Sequence, residues 1–289
     1  MTLSKLFKFV YGYMLFKAFF FSLKTRVNEV DYPNAEYVSM WRSFLRGFRE
    51  RELKRALNLI LENSDALSEC SLEIFDCFDR SSYFALIHPN HPNVTLGFIK
   101  DSDLWDIWLK DCFYKLVREK IADLIGIGDD VKILDLGCGS VSPSFYGELV
   151  SSNGIYTGID FSKPLLNLAM ARVKEGRLSD RVNLIWNYVD SKLLFKRRYD
   201  IVICSSVLQY TNVKSTMQNA VRALGGDGLV VVFSEVFSDV HKDYLNLFNL
   251  YYSLIPSFKA FPSIEEIRNC VLDCRIKVRD HIALIEISK

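Results

Sequence analysis

From residue 131 onward, short apolar runs alternate with amphipathic stretches, a rhythm absent from the front of the chain. Residues 132–136, 155–159, 182–186, 200–204 and 229–233 read as strands, each separated from the next by roughly the length of a helix and its turns. Apolar strands joined in this way predict βαβ units and a parallel sheet buried on both faces. Residues 276–278 and 283–287 are also strand-like, but the link between them is too short for a parallel crossover. They predict an antiparallel hairpin at the C-terminal end.

Upstream the period is helical. Residues 3–23 are mostly apolar, and Tyr32-Pro33-Asn34 ends that run. From 37 to 63, Trp41, Phe44, Leu45, Phe48, Leu53, Leu57 and Ile60 recur at three- and four-residue steps, predicting one long helix. Residues 72–84 predict another. A polar loop, His88-Pro89-Asn90-His91-Pro92-Asn93, follows it, and 103–127 again reads as one helix. Gly126, Gly128 and Asp129-Asp130 mark the change of pattern. The expected division is a helical N-terminal segment over 1–128, acting as a cap or substrate segment, and a sheet domain over 129–289.

Charge supports an uneven chain. Across 289 residues the formal net charge is only +1, yet residues 1–60 carry +6 and residues 61–130 carry −8. No sustained basic surface falls in the sheet region, so a nucleic-acid partner is not expected. Arg42, Arg46, Arg49, Arg51, Lys54 and Arg55 are interrupted by Glu50 and Glu52 and read as a solvated helix face. The seven cysteines are an odd number without a C-x-x-C pair. That suits reduced, mostly buried thiols in a cytoplasmic protein, with neither a disulfide framework nor a metal site.

The stretch 3–23 holds six Phe and two Tyr but is interrupted by Lys5, Lys8 and Lys17. A spanning helix or a cleaved leader is therefore not expected. Two readings stand: a helix packed on the protein's own surface, or peripheral membrane contact through residues 1–26, with Lys24 and Arg26 flanking an aromatic face.

The chemistry concentrates where the first strand ends, in Asp135-Leu136-Gly137-Cys138-Gly139-Ser140. There a carboxylate precedes two glycines that permit a tight turn. Asp160, ending the second strand, stands where doubly wound sheets hold a ribose. The third glycine of a dinucleotide fingerprint would fall at Ser142, and no G-x-x-x-x-G-K-[ST] occurs, so phosphate cradles are excluded. Asp135 before the turn suits a cationic ligand.

ILDLGCGS (133–140), YTGIDFS (156–162), YDIVICSSVLQY (199–210) and GGDGLVVVF (225–233) together resemble the class I S-adenosylmethionine-dependent methyltransferases. The resemblance covers about 131–289 and implies a Rossmann-like, seven-stranded, mostly parallel sheet with an antiparallel C-terminal hairpin. It implies that Asp135, Gly137, Cys138 and Gly139 meet the methionine end of S-adenosylmethionine. It also implies that Asp160 holds the ribose, Phe161 and Ser162 lie beside the adenine, and Cys204, Ser205 and Ser206 line the methionine side. Either Tyr188 or Asp190 would stand near the adenine amino group. The chain departs from the family pattern at Val141, where a third glycine is common, and at Tyr210, where many members show His.

Transfer from a sulfonium expels a neutral thioether, so no metal is needed and a base matters only if the acceptor must lose a proton. Tyr210, His88 and His91 are the candidate bases; His241 and His281 read as peripheral. Cys204-Ser205-Ser206-Val207 lacks the N/D-P-P-Y/F of enzymes that methylate exocyclic amines of bases. The expected activity is methyl transfer to a small apolar or aromatic acceptor. The alternatives are a membrane-surface methyltransferase acting on a quinone or lipid, and an inactive cofactor-binding scaffold.

Overall fold

The computed structural model describes residues 2–65, 73–89, 96–195, 198–271 and 274–287. Two compact units emerge. One comprises 1–97, 111–113 and 242–258; the other comprises 98–110, 114–241 and 259–289. These units do not follow a single break at residue 128, because the chain passes between them more than once.

The second unit is built on a seven-stranded sheet of β1 (Lys132–Leu136), β2 (Ile155–Asp160), β3 (Val182–Trp186), β4 (Tyr199–Ser205), β5 (Leu224–Phe233), β6 (Cys274–Arg279) and β7 (Ile282–Ile287). The strand order is β3-β2-β1-β4-β5-β7-β6. The first five strands pair in parallel, and β7 runs antiparallel to both β5 and β6. All seven expected strands are present. Leu134, Leu136, Val202, Cys204, Val230 and Val232 share one buried cluster with Met217, Ala220, Ile264 and Ile267. This is the alternation that a pleated strand imposes when both faces are covered. At the β6 edge, Arg275, Lys277 and Arg279 place charge along an open ladder, which discourages pairing with another chain.

Around this sheet lie α7 (Ser142–Leu149), α8 (Lys163–Glu175), α9 (Val213–Ala223) and α11 (Ile264–Cys270). Ser162, Asn212 and Ser263 cap α8, α9 and α11 by accepting from the backbone N–H three residues on.

The first unit contains α1 (Leu3–Thr25), α2 (Ala35–Gly47), α3 (Glu50–Glu62), α4 (Glu73–Ile87) and α10 (Lys242–Tyr252). α1 is not amphipathic: Leu6, Phe7, Phe9, Val10, Tyr11, Met14, Leu15, Ala18 and Phe21 are buried all round it. α1 is long and apolar enough for a bilayer crossing, yet more than half of its apolar stretch is buried within the protein. α1 packs along α3 with little separation. A Cβ on Gly12 would lie 2.8 Å from Leu59 Cβ and 2.9 Å from the Ala56 carbonyl. Rings carry much of the remaining core, including Trp41 and Phe78 set edge-on against Tyr251 of α10.

Three expectations change. The helix read over 37–63 is two helices, divided where Phe48 and Arg49 become extended after Gly47. The helix read over 103–127 is α5 (Ser102–Lys110) and α6 (Cys112–Ile125); the Asp111 carboxylate accepts from Phe113 N at 3.3 Å and starts a new helix. Cys112 is disulfide-bonded, so the reading of all seven cysteines as free thiols fails there. Cys77, Cys138, Cys204, Cys270 and Cys274 are free.

Candidate functional site

Strand order reverses between β1 and β4, and ligands of such sheets settle in the crevice outside the carboxyl ends at that switch point. β1 leaves the sheet through Gly137 (φ 82°) and Gly139 (φ 59°), both in the left-handed region that glycine adopts without strain. Both are also crowded. An added Cβ would meet Val207 Cγ2 at 2.6 Å from Gly137 and Leu109 Cδ1 at 2.9 Å from Gly139. The N–H groups of Gly137 and Cys138 donate to the Ile159 carbonyl at 2.8 and 3.1 Å, tying the turn to β2. The Cys138 side chain is buried and fills the space over Gly158, so any ligand contact from this residue is through its backbone.

Asp160 fixes the other side of the turn. Its two carboxylate oxygens accept from Gly139 N at 2.9 Å and Ser162 N at 2.8 Å, and each retains lone-pair capacity for a ligand hydroxyl. Burial pushes this carboxyl up, against the pull of the backbone donors. Ser162 is committed to structure: it caps α8 and donates to the Phe98 carbonyl at 3.0 Å.

Asp135 is buried at 1% exposure, with Oδ2 accepting from the Tyr156 phenol at 2.7 Å. Oδ1 is buried and has no partner among the described residues; neither has Nε of Arg118, a buried guanidinium on α6 that lowers the Asp135 carboxyl through its charge. Burial pushes Asp135 up to about 7 despite Tyr156 and Arg118. Buried polar groups without partners are costly, and a bound zwitterion would satisfy both: an ammonium at Asp135 and a carboxylate at Arg118. The residues present thus fit the methionine end of S-adenosylmethionine. Arg118 was not foreseen; its one sequence signal is an arginine between the apolar Val117 and Ile121.

A row of rings crosses the same edge of the sheet. Tyr188 stacks on Phe161 at 5.6 Å, while Phe98 stands edge-on to Phe161 at 5.8 Å and to Tyr210 at 5.0 Å. Phe98 stacks in turn on Trp105 of α5 at 4.2 Å. The segment is held down by Arg172, which donates to both Asp106 oxygens at 2.7 and 2.8 Å and to the Ser140 carbonyl at 2.9 Å. Burial of Asp106 opposes its ionisation, but hydrogen bonds from Arg172, Lys110 and Ser140 win and hold its carboxyl at about 2.

Of the two alternatives after β3, Tyr188 is the one stacked on Phe161. Asp190 instead accepts from Asn212 N at 3.0 Å. Ser205 ends β4 opposite Phe233 of β5. Tyr210 closes a short 3-10 turn (Leu208–Tyr210) beside it. Burial and the Glu235 charge push the Tyr210 phenol well above its ordinary value, so at neutral pH it is a hydrogen-bond donor. His88 belongs to the first unit, where its carbonyl accepts from Asn34 at 3.2 Å. His91 lies outside the described residues. Among the described residues no group of three or more His, Cys, Asp or Glu converges as a metal site.

Comparison with known proteins bears on this site. Residues 134–230 match a family model described as a methyltransferase domain. An uncharacterized protein of Methanocaldococcus jannaschii is 27% identical over 82% of this chain and 68% of its own length. The malonyl-[acyl-carrier protein] O-methyltransferase of Priestia megaterium is 25% identical over 53% of this chain and 56% of that protein. Among solved structures, a proposed O-methyltransferase of Nostoc punctiforme superposes with a TM-score of 0.54 at 16% identity, covering 75% of this chain and 70% of that one. Residues 134–230 therefore carry a methyltransferase domain, and this match implies S-adenosylmethionine as its methyl donor.

Proposed function

We propose that this protein transfers a methyl group from S-adenosylmethionine to a small apolar or aromatic acceptor. The observation that supports the acceptor class is the ring pair Phe98 and Tyr210, set edge-on at 5.0 Å beside the turn that follows β4. When bound, the donor supplies a methyl group on a positively charged sulfur and leaves as a neutral thioether. Asp135 and Arg118 would hold its amino and carboxyl groups, Asp160 its ribose, and Phe161 with Tyr188 its adenine. Most of the rate gain then comes from holding the acceptor atom in line behind the methyl carbon.

Titration calorimetry with S-adenosylmethionine and S-adenosylhomocysteine tests the donor site, and labelled methyl transfer to a panel of hydroxylated aromatics tests the acceptor class. Binding by the wild type, weakened in Asp160→Ala, is expected; absence of binding, or unchanged binding in the variant, overturns the reading.

A second reading has support in the first unit. Phe20 and Leu23 share one face of α1 and are 51% and 57% exposed, with Lys24 beside them. This favours a cytoplasmic protein that docks on an anionic membrane surface and takes a lipid-like acceptor. Co-sedimentation with anionic vesicles should fall in Phe20→Ser/Leu23→Ser; equal sedimentation of variant and wild type rejects it.

A further inference from the structure

Donor binding as described leaves one buried carboxylate without a task. Glu235 lies two residues past β5 and is 1% exposed. Its Oε1 accepts from the Tyr114 phenol and the Ser206 hydroxyl, both at 2.7 Å, and its Oε2 accepts from the Gln209 amide at 2.9 Å. Hydroxyl bonds this short belong with an ionised acceptor. An ionised carboxylate only accepts, so the Ser206 proton is committed to Glu235 and the free lone pairs of its Oγ point elsewhere.

Where they point is set by the backbone. Ser206 follows β4 directly and has φ 51°, a left-handed conformation that a non-glycine residue adopts at a cost of about 1 kcal/mol. Its N–H is held by the Phe233 carbonyl at 3.0 Å. The next residue, Val207, is the one that fills the space over Gly137. Ser206 is only half-buried and lies between Ser205, which ends β4, and Val207, which packs on the glycine turn, so it is placed at the switch point.

We propose that Ser206 and Glu235 form a proton relay for a hydroxyl-bearing aromatic acceptor, so that the reaction is O-methylation; the proposal rests on the methyl-transfer reading above. In the step, a lone pair of the acceptor oxygen forms the new C–O bond while the methyl–sulfur bond breaks and its electron pair stays on sulfur. The acceptor's hydroxyl proton passes to Ser206 Oγ, and the Ser206 proton passes to Glu235, which ends neutral. Ser206 touches the acceptor; Glu235 acts through it and is a positioning and proton-accepting residue.

The groups seen around Glu235 do not compete for the proton. Among the described residues, titratable groups that face it include Tyr114 from α6, Tyr210 from the turn after β4, and His281, whose ring reaches the Ser234 and Glu235 backbone. Burial and the neighbouring His241 hold His281 down at about 3, so it is neutral and carries no charge into the cluster. The Tyr210 phenol stays protonated.

The test compares two acceptor classes in the full-length protein. Phenol, catechol and hydroquinone must lose a proton, whereas benzoate is already ionised near neutrality and needs no base. Ser206→Ala and Glu235→Gln should lower kcat on the phenols at least ~100-fold with KM changed less than about threefold, and should lower benzoate methylation by less than about threefold. Phenol turnover by both variants should recover as pH rises toward the phenol's own pKa. Calorimetric affinity for S-adenosylhomocysteine should stay within about threefold of wild type, which also shows that each variant is folded. Equal losses on both acceptor classes, or no recovery at high pH, overturns the relay. Wild-type protein that binds S-adenosylhomocysteine but methylates benzoate and no phenol also overturns it. Failure of the wild type to bind S-adenosylhomocysteine overturns the underlying methyl-transfer reading instead.

Discussion

The two units bury different kinds of residue. In the helical unit the buried polar side chains among the described residues are Thr25, Asn34, Asn63 and Ser82, none of which ionises, and the rest of the core is apolar and aromatic. In the sheet unit Asp106, Arg118, Asp135, Asp160, Glu235 and His281 are all buried. Burying an ionisable group is costly unless it is paired, so its presence needs a reason that packing does not supply. Asp106 has one, since Arg172 and Lys110 compensate it. Asp135, Arg118 and Glu235 gather at the carboxyl end of the sheet, where perturbed groups mark a site. The helical unit is organised for packing, and the sheet unit tolerates local cost where a ligand would offset it.

The largest effect that tests this contrast is expected from Arg172→Ala. It leaves Asp106 buried without its bidentate partner, and the stability loss should be about 3 kcal/mol at pH 7 in urea denaturation. The folded Asp106 carboxyl, at about 2, lies below its ordinary value of 3.8, so the pair's contribution is complete above pH 4 and fades as pH falls toward 2. The gap between variant and wild type should narrow over that window. A gap under about 0.5 kcal/mol at pH 7 would place this pair with ordinary surface pairs.

Next comes Asp135→Asn, which separates cost from use. Affinity for S-adenosylmethionine should drop more than about tenfold, the scale of a lost charge-assisted hydrogen bond. Wild-type affinity should rise as pH increases through about 7, because the ammonium binds the ionised carboxyl, and this dependence should vanish in the variant. Stability of the ligand-free protein runs the other way. The folded state holds the Asp135 proton more tightly than the unfolded one, so wild type loses stability as pH rises from about 4 to 7. Thermal scans at pH 8 should therefore find the unliganded variant at least as stable as wild type; a lower midpoint would mean that Asp135 is structural.

In the helical unit the corresponding probe is steric. Gly12→Leu drives side-chain atoms into Leu59 and the Ala56 carbonyl, and overpacking of this kind typically costs about 1–3 kcal/mol. The loss should appear in the unfolding of the helical unit, with S-adenosylhomocysteine affinity retained. Joint loss of packing and binding would remove the distinction between the units.

What could be read from the sequence divides along the same line. The strands were legible as short apolar-rich runs, and 132–136 and 182–186 coincide with β1 and β3 to the residue, although only β1 is buried along most of its length and β3, at the edge, is largely exposed. The turn of Gly137 and Gly139, with Asp135 and Asp160 beside it, was legible because it is local in the chain. Helix breaks were not: apolar spacing of three and four residues continues through Phe48 and past Asp111, where two extended residues or one capping carboxylate interrupt the helix. The role of α10 was hidden because Tyr251 meets Trp41 and Phe78 across more than 170 residues. Phe98, Arg118 and Glu235 were missed for the same reason, since each gains meaning only from partners distant in sequence.

The smallest effect, and the sharpest on the contrast, belongs to Lys17→Met. Lys17 Nζ sits 2.6 Å from Asp76 and 2.8 Å from Asp79, so by distance it rivals the Arg172 pair. Its setting differs: Asp76 is 58% exposed and Asp79 27%, against 8% for Asp106. Water already solvates the Asp76 carboxylate when the lysine is removed, and methionine keeps the apolar stem packed, so the loss should be about 0.5 kcal/mol. Salt reads the same difference. In 0.5 M NaCl the effect of Lys17→Met should shrink toward zero, because exposed charges are screened, while that of Arg172→Ala should persist. A Lys17 effect as large as that of Arg172, and equally resistant to salt, would show that the helical unit also depends on buried charge.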